Sequence, residues 1–454
     1  MQIPGHKNRF AGDDLAFGAD LLRDLVRDDI ALQGGVDDNA FSNRYLEQAE
    51  SLWSAAVGAA HCRFLVGGSS QGNIAALSTV CLPDRPVAVD RTSHRSTQSA
   101  LVISGARPEW VYPEIHPEFH IPVGITPRGL SAAGDEVTAF FVTSPSYVGT
   151  LSDVAALAAV VHERGVPMVV DQAWGAHLDF LPGRGALALG ADVSVTSVHK
   201  ALMGYSQTAV VGMRDGIVSR AHLDRCVDLV ATTSPSGTLL ASIDATRAVL
   251  EDDAGRALDR TIEAVVAMRQ RLARVSGLVV LDESTAGCAV DPFKVTLVLP
   301  GTGVSGLVLG ERMVALGHGP ESADRDTLVL TVTLMDEPAF VGEVAETLAS
   351  LIDDLRGPAH APRPMAVWRL EPEVVLTPRE AFFAGRRRIR LADAVGEVSA
   401  EQFCPYPPGV PLLAAGERVT EESVAAIRAA GRTGRVAYCS DPSLETIEVV
   451  APRS

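Results

Sequence analysis

The sequence predicts an α/β protein built on a mostly parallel β-sheet, followed by smaller α/β units. From about residue 45 to residue 300, helix-like and strand-like stretches alternate, which is typical of parallel strands joined by crossover helices. Most strand candidates are short, rich in β-branched residues and bounded by Gly, Pro or Ser, as expected for strands buried on both faces. A chain of 454 residues also has room for about three domains.

The elements of the large unit follow one another in the order that such a sheet needs. A first helix leads into a strand, a turn of small residues at 68–72 and a second helical stretch. The predicted strands are 63–67, 87–90, 109–112, 138–143, 167–171, 193–196 and 208–213. The other helices, predicted from helical periodicity, are 46–60, 153–164, 239–250 and 255–275.

A smaller α/β unit is predicted beyond residue 277. Its last helix opens with Pro338, whose missing N–H costs nothing in a first turn. A proline-rich joint at 357–364 marks a boundary, because each proline fixes φ and removes a backbone donor. The predicted strands of this unit are 279–281, 294–298 and 327–332, and its helices are 304–316 and 338–355. We expect four segments, which are 1–45, 46–255, 256–356 and 365–454.

Composition excludes several classes of protein. The net charge of −17, from 56 acidic and 39 basic residues, opposes the phosphate-binding surface that a nucleic-acid partner needs. No apolar run of about 18 residues occurs, and the first ten residues include His6 and Lys7, so neither membrane insertion nor secretion is expected. The six cysteines lack CxxC spacing, which predicts reduced thiols, no metal site and a cytoplasmic protein.

One group of residues has the composition expected of a catalytic site. Lysine occurs only at three positions, and Lys200 follows a strand within the run Ser197-Val198-His199-Lys200. Asp171 ends an earlier strand, where side chains face the ligand crevice of an open α/β sheet. The small-residue turn at 67–73 could hold a phosphate at a helix N-terminus. A phosphate cradle, a strand-end carboxylate and an amine together match the needs of pyridoxal 5′-phosphate.

These residues resemble those of the Orn/Lys/Arg decarboxylase family of fold-type-I pyridoxal-phosphate enzymes, over nearly the whole chain. The matching segments, in order, are PGHK at 4–7, GSS at 68–70, DRTSHRS at 90–96, VTSPSYVGT at 142–150, DQAWGAH at 171–177, SVHK at 197–200, SQ at 206–207, TTSPS at 232–236, LTPREAFF at 376–383 and PYPPGVP at 405–411. The resemblance implies a seven-stranded, mostly parallel sheet in a cofactor-binding large domain, a small domain and a C-terminal domain typical of the family.

The resemblance also implies residue roles. Lys200 would bond the cofactor, Asp171 would keep its pyridine nitrogen protonated, and His94 would lie over the ring. The predicted catalytic residues are Lys200, His94, Asp171 and His199. The predicted cofactor-binding residues are Ser69, Ser70, Gln71, His94, Asp171, Ala173, Trp174, Ser197, His199, Lys200 and Thr233, the last reaching the phosphate from the neighbouring subunit of a homodimer with shared active sites.

Several of the residues that we single out also have a purely structural interpretation. A lone histidine such as His94 is often a core residue, and Trp174 is equally a core aromatic. The remaining open assignments are His177 (a hydrogen bond near the site or a turn cap), His6 and Lys7 (the entrance or solvent), Lys294 (structural in the small domain), and Glu401 and Tyr406 (recognition of a cationic side chain or loop packing).

Two departures from the family pattern bear on the substrate. Many short relatives carry an Asp-Glu-Ala-His pattern where this chain has Gln172 and Trp174, and the segment 36–41 lacks a histidine that often follows paired aspartates.

Because the sequence starts at the Pro-Gly-His-Lys motif, we expect the short form of the family, without its N-terminal wing domain.

The function expected from this resemblance is decarboxylation of lysine, ornithine or arginine to the corresponding amine, the chemistry of polyamine precursors, through an external aldimine and a quinonoid. The orientation of the bound substrate selects the bond that breaks, so an aminotransferase, oxidase or cyclase of specialised metabolism is the alternative within enzymes. A catalytically silent regulatory homologue is the alternative outside them. Retention of Lys200 and Asp171 favours an enzyme.

Overall fold

The structure, a computed structural model, describes residues 29–30, 44–253, 255–363, 370–406, 409–433, 435–437 and 439–452. Most of the predicted N-terminal arm, including His6, Lys7 and the segment 36–41, lies outside the described residues, as does the side chain of Tyr406. Within the described part of the chain, no helix is both long enough and apolar enough to cross a lipid bilayer.

The large unit contains a seven-stranded sheet, as the sequence predicts. The strands up to residue 213 are β1 (His61–Leu65), β2 (Pro86–Asp90), β3 (Arg107–Val111), β4 (Glu114–Ile115), β5 (Pro122–Gly124), β6 (Phe140–Thr143), β7 (Met168–Asp171), β8 (Val193–Ser197) and β9 (Ala209–Met213). The sheet order is β1-β9-β8-β7-β6-β2-β3, while β4 and β5 pair separately. Neighbours from β8 through β3 are parallel, and β9 alone runs against the others.

The reversed direction of β9 follows from its short connection to β8. Only residues 198–208 lie between the two strands, fewer than the dozen or more residues that a parallel crossover requires. The chain therefore turns back beside β8, and the connection stays at the carboxyl edge of the sheet. This edge is also where β2, β6 and β7 end, at Asp90, Thr143 and Asp171.

Helices cover both faces of the sheet. Those of the large unit are α1 (Tyr45–Val57), α2 (Gly68–Val80), α3 (Ser96–Ser104), α4 (Pro127–Ser131), α5 (Val154–Glu163), α6 (Val198–Ala201), α7 (Arg220–Val230) and α8 (Gly237–Asp252), with a 3-10 helix at Ala176–Phe180. Helix α2 lies close to the sheet because Gly72 has no side chain, and a Cβ there would come within 2.5 Å of Val195 on β8. This close contact brings the first turn of α2 to the sheet edge.

The small unit is a four-stranded antiparallel sheet with helices. Its strands are β10 (Val279–Val280), β11 (Lys294–Val298), β12 (Ser322–Ala323) and β13 (Thr327–Thr331), in the order β10-β11-β13-β12. The helices that follow the large unit are α9 (Arg256–Leu272), α10 (Glu283–Ala286), α11 (Gly306–Ala315) and α12 (Pro338–Asp354), with a 3-10 helix at Pro300–Thr302. The sequence predicts all of these strands except β12, which has only two residues.

The C-terminal unit is a smaller layer of strands and helices. It comprises α13 (Pro378–Phe383), β14 (Arg386–Arg390), a 3-10 helix (Leu391–Asp393), β15 (Cys404–Tyr406), α14 (Glu421–Thr433), β16 (Arg435–Ala437) and β17 (Thr446–Val450). Its buried apolar residues, such as Phe403, Ile427 and Ile447, form a cluster of their own. A second cluster lies between the small sheet and helices α9 and α12. We propose the division at 255/256 and in 357–364 on the basis of these clusters.

Candidate active site

A cavity of about 410 Å³ lies at the carboxyl edge of the large sheet. Its wall takes side chains from all three units, although they are far apart in the sequence. The lining residues are Ser69, Thr92, His94, Thr143, Ser146, Tyr147, Asp171, Ala173, Trp174, His199, Lys200, Glu321, Thr331, Thr333 and Val410. The structure therefore brings the predicted Lys200, Asp171, His94 and His199 to one place.

Lys200 is carried by α6, the short helix directly after β8. Its Nζ lies 3.9 Å from the ring centroid of Trp174, over the indole. Burial lowers the pKa of the Lys200 amine below its usual range, although the nearby Asp171 carboxylate opposes this shift. An amine with a lowered pKa is more often uncharged and hence nucleophilic near neutral pH.

Asp171 is a buried carboxylate at the end of β7, with 2% of its surface exposed. One carboxylate oxygen accepts a hydrogen bond from Asn73 Nδ2 at 2.7 Å, and the other accepts one from the backbone N–H of Ala173 at 3.0 Å. Burial raises the pKa of Asp171, opposed by Lys200 and these two donors. A protonated ring nitrogen is the kind of partner that would hold such a carboxylate in its charged form.

His94 is linked to Asp171 through a chain of hydrogen bonds. Asn73 Nδ2 also donates to Ser96 Oγ at 3.0 Å, and Ser96 Oγ lies 2.9 Å from His94 Nδ1. The backbone N–H of Ser96 also points to His94 Nδ1, so this nitrogen is an acceptor and the ring proton is assigned to Nε2. Burial lowers the pKa of His94 to about 4, with Lys200 and Arg95 adding to the effect. The ring is thus neutral near pH 7.

The first turn of α2 provides the features of a phosphate site. Gly67 occupies the N-cap position, and no side chain in the described chain caps the helix. Ser69 lines the cavity and Ser70 follows it in this uncapped turn. The Oγ of Ser197, at the end of β8, is buried without a hydrogen-bond partner among the described residues. A helix start without a side-chain cap and a buried hydroxyl without a partner among the described residues, both at one sheet edge, fit a phosphate dianion.

The remaining predicted cofactor residues have different positions. Gln71 Oε1 accepts a hydrogen bond from the Gly67 N–H at 2.9 Å, so this side chain stabilises the turn before α2. His199 Nδ1 lies 2.8 Å from the Thr208 carbonyl, which requires the proton on Nδ1 and leaves Nε2 as the acceptor. Thr233 is exposed between α7 and α8, and its contact with a neighbouring subunit stays a prediction.

Lys294 has a structural role in the small sheet and also contacts Trp174 of the large unit. Although it begins β11, its Nζ lies 3.6 Å from the ring centroid of Trp174 and donates a hydrogen bond to Thr331 Oγ1 at 2.8 Å. Only 1% of Lys294 is exposed. The Trp174 indole therefore contacts Nζ of both Lys294 and Lys200, which makes it more than a core aromatic.

Two other open assignments have clear positions. His177 is fully buried, lies 2.9 Å from Asp291 Oδ1 and stacks on Phe293 at a centroid distance of 4.0 Å. It thus joins the large and small units rather than capping a turn. Glu401 accepts hydrogen bonds from the Ser440 backbone and hydroxyl and from the Glu448 backbone, which ties two loops to the last strand and supports loop packing.

Sequence reasoning did not assign several lining residues to the site. Thr92, Thr143, Ser146 and Tyr147 lie inside the motifs that suggested the family, so their proximity to the strand ends was a usable signal. No local signal identifies Glu321, Thr331, Thr333 and Val410, because their segments reach the cavity only through the packing of the small and C-terminal units. Asn73 and Ser96 were also missed as a link between Asp171 and His94.

Comparison with known proteins supports one family over most of the chain. Residues 1–286 match the family model described as Orn/Lys/Arg decarboxylase, major domain, and residues 364–430 match the model of the C-terminal domain of the same family. The arginine decarboxylase of Halalkalibacterium halodurans is 30% identical over 466 residues, covering 99% of this chain and 94% of that protein. The arginine decarboxylase of Bacillus subtilis is 30% identical over 450 residues, covering 94% and 89%.

A solved structure shows the same fold. The lysine decarboxylase LdcF of Francisella novicida superposes with a TM-score of 0.81 at 18% identity, covering 99% of this chain and 79% of that one. The expectation of a fold-type-I, mostly parallel α/β architecture is thereby confirmed.

Proposed function

The chain belongs to the Orn/Lys/Arg decarboxylase family, and from this premise we propose that it catalyses the pyridoxal 5′-phosphate-dependent decarboxylation of a basic L-amino acid. Arginine is the first candidate, because the two relatives at 30% identity are arginine decarboxylases. The observation that carries the proposal is one cavity that brings together Lys200, Asp171, His94 and the uncapped helix start at Ser69.

Each residue has a role that its surroundings support. Lys200 Nζ would bond the cofactor. Asp171 would keep the ring nitrogen protonated, and the neutral His94, whose Nδ1 lies 2.9 Å from Ser96 Oγ, would lie against the ring. Ser69, Ser70, Ser197 and His199 would hold the phosphate. When bound, the cofactor supplies the electron sink that accepts the electron pair left by departing carbon dioxide.

Proton return completes the reaction. The α-carbon that loses carbon dioxide must gain one proton to give the amine. Lys200 Nζ lines the cavity, and burial lowers the pKa of its ammonium form, which makes it the better proton donor. His199 could deliver the proton only with Nε2 protonated, a form that its lowered pKa disfavours. The Nδ1–H bond to the Thr208 carbonyl fixes the orientation of the His199 ring.

The opposite wall suits a cationic substrate. Glu321 is the lining carboxylate on the side of the small unit, and Thr331 and Thr333 add hydroxyl groups beside it. A carboxylate there can pair with the ammonium or guanidinium group at the end of a basic side chain.

The test is mass spectrometry of the products after the cofactor-loaded protein is incubated in air with equal amounts of lysine, ornithine and arginine. We expect one matching amine, and none from Lys200→Ala. A keto acid or an oxidised or cyclised product would instead support the aminotransferase, oxidase or cyclase alternative. If none of the three amino acids is converted to any product, the proposal is contradicted.

We also propose that the protein acts as a cytoplasmic homodimer with shared sites. The exposed position of Thr233 supports this, since a residue so placed can reach a second copy. Sedimentation should give twice the chain mass, and mixing inactive Lys200→Ala with Thr233→Ala should restore part of the activity. If the mixture of the two variants shows no restored activity, the shared site is contradicted.

A further inference from the structure

A buried ion pair joins two walls of the cavity. Arg91 directly precedes the lining residue Thr92, whereas Glu417 belongs to the C-terminal unit. Arg91 Nη1 lies 2.5 Å from Glu417 Oε1, and Nη2 donates to Oε2 at 3.1 Å, so the contact is bidentate. The two residues are 2% and 1% exposed. A buried guanidinium–carboxylate fork fixes orientation more than it adds stability, because desolvation offsets most of its attraction.

Both partners have further contacts that hold the segment between Val410 and Glu417. Arg91 Nη2 also reaches the Leu412 carbonyl at 3.5 Å, and Glu417 Oε2 accepts the Ala414 N–H at 2.7 Å. The guanidinium lies 4.8 Å from the ring centroid of Trp110, which supports it from the large unit. Val410, at the start of this segment, lines the cavity.

The wall that carries Thr92 and His94 is held separately. Asp90 accepts hydrogen bonds from the Thr92 N–H at 2.7 Å and the Thr92 hydroxyl at 2.6 Å, and it accepts the Thr143 N–H at 3.1 Å. This loop therefore has anchors within the large unit and does not depend on Glu417. The segment that contains Val410, by contrast, is fixed to the large unit through Arg91.

We propose that Arg91 and Glu417 are positioning residues that set Val410 as the part of the substrate pocket that contacts the aliphatic chain of the substrate. The C-terminal unit thereby belongs to the binding site, and the ion pair determines how closely its wall approaches. The identity of the substrate rests on the proposed function, whereas the link between Arg91 and the position of Val410 does not.

The main test combines Arg91→Met, Val410→Ala and the double variant. For the substrate that the wild-type protein converts, we expect Arg91→Met to raise KM about ten-fold with kcat changed less than about two-fold. Val410→Ala should also raise KM. The KM increase of the double variant should be smaller than the product of the two single increases, because Arg91 acts through Val410. The Kd of the cofactor, followed by absorbance, should change less than about two-fold.

Arg63→Met is the matched control for the loss of a partly buried arginine pair. Arg63 lies on β1, at the opposite side of the sheet from β2, where it donates to Asp224 and Asp228. The Arg63→Met variant should have a lower melting temperature than the wild type and an unchanged KM. If Arg91→Met lowers stability in the same way with KM unchanged, or if KM effects of Arg91→Met and Val410→Ala multiply fully, the proposal is wrong.

A second measurement needs no substrate. Hydrogen exchange of the amides in 410–417 should become faster in Arg91→Met, whereas exchange at 92–94 should remain as in the wild type. Arg91→Lys, which keeps the charge but loses the fork, should show a smaller change and serves if Arg91→Met fails to fold. Unchanged exchange in 410–417 would overturn the proposal even if the wild-type protein proved to decarboxylate no basic amino acid.

Discussion

The two walls of the cavity are built differently. On the large-unit side, Asp171, Thr143 and Lys200 end strands or follow them directly, and the carboxylate and its neighbours are held by hydrogen bonds inside one unit. On the other side, Glu321 and Val410 come from two further units, and the segment of Val410 is tied to the large unit by the Arg91–Glu417 ion pair. The first wall is suited to a cofactor whose geometry is fixed, and the second can change with the substrate.

The largest effect is expected from Lys200, on the first wall. Lys200→Ala removes the amine that we propose to bond the cofactor, so decarboxylation should fall by roughly 10⁴-fold or more. Borohydride reduction followed by mass spectrometry should then find no cofactor mass on the protein. Lys200→Arg, which keeps the positive charge, should be equally unable to form the adduct; retained activity in either variant would refute the assignment.

Asp171 tests the electrostatic part of the same wall. Asp171→Asn loses the negative charge that favours a protonated ring nitrogen, and kcat should fall by about 10²- to 10³-fold. Asp192→Asn is the control, since Asp192 is a buried carboxylate at the opposite edge of the sheet and bonds His162 and Arg214. It should lower stability but not kcat. Equal losses of kcat in the two variants would mean that Asp171 is only structural.

Lys294 lies between the walls and should make stability depend on pH. Burial lowers the pKa of Lys294 to about 8 from 10.5, opposed by Asp291 and Glu321 and aided by Lys200. Between these values the unfolded chain binds more protons, so the folded state gains stability as pH rises through this window. Relative to Lys294→Met, the wild type should gain on the order of 3 kcal/mol from below pH 8 to above pH 10.5.

Urea unfolding of the two proteins across that pH range measures this difference. Lys294→Met is a suitable comparison because it keeps the length of the apolar stem without a titrating group. Parallel stability curves for the wild type and the variant would contradict the lowered pKa.

The smallest expected effect belongs to Glu321 on the second wall. Glu321→Gln removes the charge that pairs with a basic side chain, so KM for the preferred amino acid should rise about ten-fold while kcat changes little. Glu343→Gln, on the exposed face of α12, should leave both constants unchanged. A larger loss in kcat than in KM would place Glu321 in the chemistry rather than in recognition, and would remove the distinction between the walls.

Much of the first wall could be predicted because its residues are coded locally. Strand endings at Asp171 and Ser197 are visible as breaks in β-branched runs, and side chains at the carboxyl edge of a parallel sheet converge on one crevice. The second wall could not be predicted, because the segments that carry Glu321 and Val410 have no motif that specifies which face of another unit they contact. The contact of Lys294 with Trp174 was missed for the same reason.

The sequence by itself determined the seven strands of the large sheet, the carboxyl-edge position of Lys200 and Asp171, and the family, because each depends on short-range pattern and motif. The tertiary structure alone decided the Trp174 contact shared by Lys200 and Lys294 and the burial of Arg91 against Glu417. These features depend on how separate units pack, and a contact between residues hundreds of positions apart leaves no local signal in a single sequence.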